Sequence, residues 1–149
     1  MLTAAFWNAN VRDNSVALPR GYVALTTLAT TFTTTSLPPV DVTGFSVTFT
    51  AEAGRRYLIS LLINTTNTGA NQNRFYILKA ASQLFEGFVP PVTSPVLAAA
   101  HGFAIDTPSA GSVTYKVQMD VAAGTGTMYG TSTRASLASR LLVTDIGLA

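Results

Sequence analysis

Hydrophobic and polar residues alternate along much of the chain with the two-residue period of β-strands. In the segment 45–50, Phe45, Val47 and Phe49 alternate with hydroxyl-bearing residues. In the segment 113–121, the odd-numbered positions are apolar and the even-numbered positions carry Thr, Lys, Gln and Asp. Because neighbouring side chains of a strand point to opposite faces, both segments are predicted to be strands with one buried face.

The segment 57–63 is apolar on both of its predicted faces. One face carries Tyr57, Ile59, Leu61 and Ile63, and the other carries Leu58 and Leu62. A strand that is buried on both sides needs a second layer or a neighbouring subunit over its outer face. A further apolar cluster, 84–89, is expected to be either a buried corner or a subunit contact. The candidate subunit-contact residues are therefore Tyr57, Leu58, Leu62, Phe85 and Phe88.

About eight strands are predicted, separated by turns rich in Gly, Pro and Thr. Besides those above they lie within 22–35, 74–80, 96–105, 128–133 and 137–146, of which 96–105 is ambiguous because of its three consecutive alanines. The polar run 64–73 is expected to be a loop, and Arg55-Arg56 a solvated strand end. Since no segment has the length of a helical crossover, a parallel sheet is not expected. The sequence predicts an all-β fold, an antiparallel jelly-roll-like β-sandwich over 22–149.

The first fourteen residues have a different pattern, that of one short amphipathic helix. Thr3 is placed to cap it, and Ala4, Trp7 and Val11 fall on one stripe. A helix of about 12 residues is marginal alone in water, so the stripe needs a partner surface. Pro19 and Gly21 would break any helix that continued past residue 14, so residues 1–21 are interpreted as an anchor helix and hinge.

The partner of this helix is either another protein or the chain's own domain, and the hinge favours another protein. Tryptophan is enriched among the residues that anchor interfaces, and charged neighbours set the orientation of such a contact. The candidate anchor residues are Phe6, Trp7, Val11, Arg12 and Asp13.

Charged residues make up only 11% of the chain, against about 25% in a typical domain. Free monomers usually keep more charge than this, so the shortage indicates that much of the surface faces other protein. The net charge is +2 and the basic residues are scattered. A nucleic-acid interface needs a basic face that neutralises several phosphates, so no nucleic-acid partner is predicted.

Candidate chemistry is sparse. The chain has no cysteine and a single histidine, His101, which lies outside any G-x-S-x-G motif. The seven carboxylates are dispersed, with no calcium-loop spacing, although an acid–base pair assembled by the fold stays open. We therefore predict no enzymatic activity, cofactor or metal. No apolar stretch approaches about 18 residues, so membrane insertion is not predicted.

Three short stretches carry a resemblance to a known group of proteins. They are residues 3–14, with Trp7-Asn8 and Val11-Arg12-Asp13-Asn14, residues 48–57 and residues 140–147. Together they resemble virion proteins of tailed bacteriophages that infect actinobacteria, many of which are minor tail proteins. The resemblance implies a non-enzymatic structural protein on the exterior of the particle, with an outward-facing jelly roll. It also implies that the protein forms homotrimers, and that its partners are other tail or capsid proteins of the virion.

Three hypotheses for function follow. The first is a minor tail protein of the virion, anchored by its N-terminal segment, and the absence of a fibre shaft sets it apart from larger tail proteins. The second is a capsid decoration protein that stabilises the head. The third is a β-sandwich that binds or cleaves a host surface glycan during host attachment.

Overall fold

A computed structural model describes residues 17–69, 71–91 and 97–149 of the chain. These residues form ten strands, and a short helix, α1 (Thr131–Arg134), and a 3-10 turn (Ala135–Leu137) precede the last of them. The strands are β1 (Gly21–Thr27), β2 (Phe32–Thr34), β3 (Val40–Ala51), β4 (Arg55–Asn67), β5 (Asn73–Lys79), β6 (Ser82–Val89), β7 (Ala98–Asp106), β8 (Gly111–Val121), β9 (Gly126–Met128) and β10 (Arg140–Leu148). The predicted all-β class is confirmed.

The strands pair into two antiparallel sheets that stack as a β-sandwich. In sheet A the order β1-β10-β4-β7 forms the main body, and the short β9 and β2 continue beside the far end of β4. Sheet B has the order β3-β8-β5-β6. The pairs β1–β10, β3–β8, β4–β7 and β5–β6 are nested, as if one long antiparallel hairpin had been rolled up, which is the connectivity of a jelly roll.

The core lies between the two sheets and is built from the faces that the alternation predicts. On β4 the side chains of Tyr57, Ile59, Leu61 and Ile63 are at most 3% exposed. Sheet B supplies the opposite layer, which includes Phe45, Val47, Phe75, Ile77, Tyr115, Val117 and Met119. The period-two pattern therefore identified the buried face of β3, β8 and the 57–63 part of β4.

The polar run 64–73, expected to be a loop, is a loop only in its middle, since β4 continues through Asn67 and β5 begins at Asn73. Residues 64–67 and Asn73 are buried. The Asn67 side-chain amide donates to the Asn73 side-chain oxygen over 2.8 Å. Asn73 in turn donates to Thr65 Oγ1 at 2.6 Å and to the Thr66 carbonyl at 2.9 Å. These side chains satisfy one another's hydrogen bonds, so their polarity did not require exposure to water.

Arg55 is also buried, contrary to the expected solvated strand end. Its guanidinium pairs with Asp145 on β10, with a second hydrogen bond from Nη2 to Oδ1 of 2.8 Å, and both side chains are at most 3% exposed. Arg55 Nη2 also donates to the Leu18 carbonyl at 2.7 Å, and Arg20 pairs with Glu52 in the β3–β4 turn. The residues just before β1 are thereby fastened to the sandwich at the Arg55 end of β4.

Candidate functional site

The outward faces of the two sheets differ in chemistry, and sheet B has the polar one. The hydroxyls of Thr48 and Thr114 lie 2.7 Å apart across β3 and β8. Asp41 accepts hydrogen bonds from Lys116 at 2.9 Å and from Gln118 at 2.7 Å, and these bonds lower the pKa of its carboxyl below its usual value. Such a surface of hydroxyls and paired charges is well solvated without a partner.

A second cluster on the same face surrounds Asp120. Arg74 donates to both carboxylate oxygens of Asp120, at 2.8 and 2.9 Å, and the Tyr76 hydroxyl lies 3.2 Å from one of them. Burial raises the pKa of Tyr76 to about 12, so this phenol stays protonated and donates. The Asp120 carboxylate is therefore fully occupied by neighbouring donors.

The outward face of sheet A is apolar. The strand register places twelve outward positions of β1, β10, β4 and β7 in three rows across the sheet. The rows are Thr27-Arg140-Leu62-His101, then Leu25-Leu142-Ser60-Phe103, then Tyr22-Thr144-Leu58-Ile105. We call the seven apolar members of this grid the apolar patch; they are Tyr22, Leu25, Leu58, Leu62, Phe103, Ile105 and Leu142.

The apolar patch is open to solvent in the isolated chain. The exposed fractions are 67% for Tyr22, 58% for Phe103, 57% for Ile105, 45% for Leu25 and 39% for Leu62. A contiguous exposed patch of this kind is typical of a surface that contacts another molecule, whereas single exposed apolar residues are normal. The patch is the best-defined candidate for a functional surface in the described part of the chain.

Polar side chains are interspersed at one end of this face. A shallow depression of about 300 Å³ is bordered by Tyr22, Leu25, Leu62 and Leu142 together with Ser60, His101 and Arg140. Arg140 carries the one permanent charge in the three rows, and no carboxylate lies among them. The depression thus combines apolar walls with a few donors.

His101 does not meet an acid in this arrangement. It lies opposite Leu62 in the strand register, and Ser60 is one row away. The carboxylates with resolved ion pairs are held by cations elsewhere, for example Asp106, which accepts hydrogen bonds from Lys79 and Tyr115, each at 2.9 Å. Within the described ranges no group of three or more potential metal ligands occurs. The geometry around His101 is that of a surface residue.

The predicted subunit-contact residues do not form one surface. Leu58 and Leu62 belong to the apolar patch, whereas Phe88 is 62% exposed and belongs to sheet B, where it is in register with Arg74. Tyr57 lies in the core, where it is 3% exposed and its hydroxyl accepts a hydrogen bond from the Glu52 backbone at 3.0 Å. Its side chain therefore has no surface to offer a neighbouring subunit.

Phe85 closes the open edge of the sandwich between β6 and β7. Its ring centroid lies 6.0 Å from that of Phe75 in the core. It also covers Gly102 so closely that a Cβ atom at position 102 would lie 2.4 Å from the Phe85 ring. The absence of a side chain at Gly102 is what admits the ring, so Phe85 serves packing within the domain.

Sequence reasoning missed five members of the apolar patch, namely Tyr22, Leu25, Phe103, Ile105 and Leu142. A signal was present, because Phe103 and Ile105 occupy alternate positions of β7 while Gly102 and Ala104 point inward. The alanines at the start of this strand obscured the alternation. The candidate anchor residues Phe6, Trp7, Val11, Arg12 and Asp13 lie outside the described residues.

Comparisons with protein families and with curated proteins return no match. Among solved structures, the chain is similar to T=1 particles derived from infectious bursal virus (14% identity, 87% of this chain and 37% of that chain, TM-score 0.46). It is also similar to a VP2 subviral particle of infectious bursal disease virus (16% identity, 88% and 38%, TM-score 0.42). A third similarity is to a family 35 carbohydrate-binding module from an environmental isolate (14% identity, 89% and 98%, TM-score 0.37).

The chain spans less than two-fifths of the length of the viral proteins that it matches. In the described part of the chain, no helix is long and apolar enough to cross a membrane.

Proposed function

We propose that this protein is a non-enzymatic structural subunit of a bacteriophage virion, an outward-facing jelly roll on the exterior of the particle, and specifically a minor tail protein. The observation that carries the proposal is the apolar patch on one face of a domain that is otherwise poor in charge. Such a domain is suited to burial against other copies and other virion proteins. The resemblance of residues 3–14, 48–57 and 140–147 to phage virion proteins supports the same function.

The N-terminal segment supplies the attachment in this proposal. Phe6, Trp7 and Val11 provide apolar contacts to a neighbouring tail or capsid protein, and Arg12 and Asp13 orient them. Residues 17–20 are fastened to the sandwich through Arg55, so the segment leaves the domain from a fixed point. A fixed exit point gives an anchor a defined direction relative to the jelly roll. The domain itself assembles as a homotrimer.

The experiment measures incorporation into particles. Deleting residues 1–14 is expected to leave a folded β-domain, checked by circular dichroism, that is missing from purified virions, checked by quantitative mass spectrometry. Trp7→Ala is expected to weaken incorporation by about 2 kcal/mol, or roughly thirtyfold in affinity, if Trp7 is a central anchor. Phe88→Ala is the matched control, since Phe88 lies on the polar face of sheet B.

Two outcomes would contradict the proposal. A truncated protein that unfolds would make the segment part of the domain core. A truncated protein that still occupies particles normally would move the attachment surface to the β-domain. Electron cryo-microscopy of the particle distinguishes the tail position from the alternative, a capsid decoration protein at the head.

A second candidate function is host-glycan binding, and the depression on sheet A favours it. The Tyr22 ring offers a stacking surface, and His101, Arg140 and Ser60 offer hydrogen-bonding groups beside it. The aliphatic side chains that border the same depression are less suited to sugars, so this function ranks below the structural one. Glycan-array binding that is lost in Tyr22→Ala and kept in Phe88→Ala would raise it to first place.

A further inference from the structure

We infer that copies of this chain contact one another through the apolar patch, so that this face of sheet A is the subunit interface of the assembled protein. The inference rests on the proposed homotrimer and adds the surface through which it forms. The polar face of sheet B is then the one that stays in contact with solvent or with other molecules.

The first argument is the area of the patch. At their exposed fractions, Tyr22, Leu25, Leu62, Phe103 and Ile105 leave on the order of 600 Å² accessible, at the top of what a monomer normally exposes in one patch. A stable interface takes about 800 Å² from each partner. Each copy in a ring of three makes two such contacts, so the patch supplies the apolar centre of both, and its polar neighbours Ser60, His101 and Arg140 supply part of their rim.

The second argument is the charge on the two faces. The three rows on sheet A include Arg140 and no carboxylate. A partner selected by charge would find little to recognise there, whereas the apolar flanks of neighbouring copies can cover this face with Arg140 as the one permanent charge of the three rows. On sheet B the exposed ion pair Lys116–Asp41 and the partly exposed Arg74 guanidinium would have to be desolvated on contact, which opposes burial of that face.

The third argument is the arrangement of the patch, which has two flanks of different composition. Tyr22 and Leu25 lie on the edge strand β1, and Phe103 and Ile105 lie on the opposite edge strand β7. In a ring, each subunit uses one surface toward one neighbour and a different surface toward the other. When three copies direct sheet A toward a common axis, the β1 flank of one copy meets the β7 flank of the next, and the ring closes.

The test compares two phenylalanines that are almost equally exposed on opposite faces, Phe103 at 58% and Phe88 at 62%. Sedimentation equilibrium of the full chain between 1 and 100 µM is expected to give three times the monomer mass of 15.6 kDa. Phe103→Asp is expected to weaken association at least a hundredfold, a loss of the size expected for a central interface residue. Phe88→Asp is expected to leave association within threefold of the parent chain.

A second measurement does not depend on a disruptive substitution. Because the chain has no cysteine, single Phe103→Cys and Phe88→Cys variants each carry one thiol for maleimide labelling. The thiol at position 103 is expected to react at least tenfold more slowly than the thiol at position 88 when the protein is at 100 µM. The difference is expected to disappear on dilution to concentrations at which the parent chain dissociates.

Several results would overturn the inference. A parent chain that is monomeric at 100 µM would overturn it. So would a Phe88→Asp variant that dissociates while the Phe103→Asp variant remains a trimer. Slow labelling at position 103 in a monomeric protein would mean that residues 1–16 of the same chain, and not a second copy, shield the apolar patch. If the trimer forms through this face and the protein is nevertheless missing from purified particles, the proposed virion function fails while the interface stands.

Discussion

Leu61 and Leu62 are neighbours on β4 that point to opposite sides of sheet A, and truncating each is expected to affect a different property. Leu61 is 0% exposed between the two sheets. Leu61→Ala leaves a cavity there and is expected to lower the free energy of unfolding by about 3 kcal/mol, within the usual range for buried leucines. Leu62 is 39% exposed on the apolar patch, so Leu62→Ala is expected to cost the folded monomer only about 1 kcal/mol.

Urea unfolding followed by circular dichroism, at a concentration where the parent chain is monomeric, measures both costs. For a chain of this size each kcal/mol corresponds to a shift of about 3 °C in melting temperature, so the expected decreases are about 10 °C for Leu61→Ala and 3 °C for Leu62→Ala. Self-association is expected to respond in the opposite order. Leu62→Ala weakens it, and Leu61→Ala leaves it unchanged at temperatures where that variant is folded.

Equal losses of stability from the two substitutions would refute this reasoning, since they would place Leu62 in an environment as buried as that of Leu61 within one chain. Weakened association in Leu61→Ala, measured with the protein fully folded, would also refute it. It would show that the contacts between copies depend on the core face of β4.

Three further predictions concern polar residues. The Arg55 hydrogen bonds hold the pKa of the Asp145 carboxyl below its usual value. The pair therefore stabilises the fold above about pH 4, and this contribution is lost as the pH falls through the lowered pKa. Asp145→Asn should have a lower melting temperature than the parent chain at pH 7, and the difference between the two melting temperatures should disappear between pH 7 and pH 2. Asn73→Ala leaves the Asn67 amide with only its 3.3 Å bond to the Ala123 carbonyl and should cost about 1–3 kcal/mol in urea unfolding. Asn71→Ala, which removes only a 3.3 Å bond to the Gly69 carbonyl, should cost less than half as much. His101→Ala should leave virion incorporation intact and change the melting temperature only by a small packing cost. Loss of a glycan- or peptidoglycan-cleaving activity with the fold intact would reveal a catalytic role.

Much of the secondary structure could be predicted from the sequence because burial on one side of a strand imposes a two-residue period. That period located β3, β8 and the inward face of β4. It was weakest in β7, where alanines fill alternate positions, and it misled at 64–67, where polar side chains are buried together. In that run Asn64 is hydrogen-bonded to Leu137 and Ser139, and Thr65 to Thr127 on β9. A local pattern contains no information about partners so distant along the chain.

The candidate site depended far more on tertiary structure. The sequence alone indicated a charge-poor all-β chain with one strand, 57–63, that is apolar on both faces. Only the pairing of β1 with β10, of β10 with β4 and of β4 with β7 brings Tyr22, Leu142, Leu62 and Phe103 onto one face. The same folding assigns Tyr57 and Phe85 to packing within the domain and Phe88 to the opposite sheet. Strand order is decided by long-range contacts, such as the pairing of Tyr22 with Thr144 between strands near opposite ends of the chain. A residue's membership of a surface therefore follows from topology rather than from its neighbours in sequence.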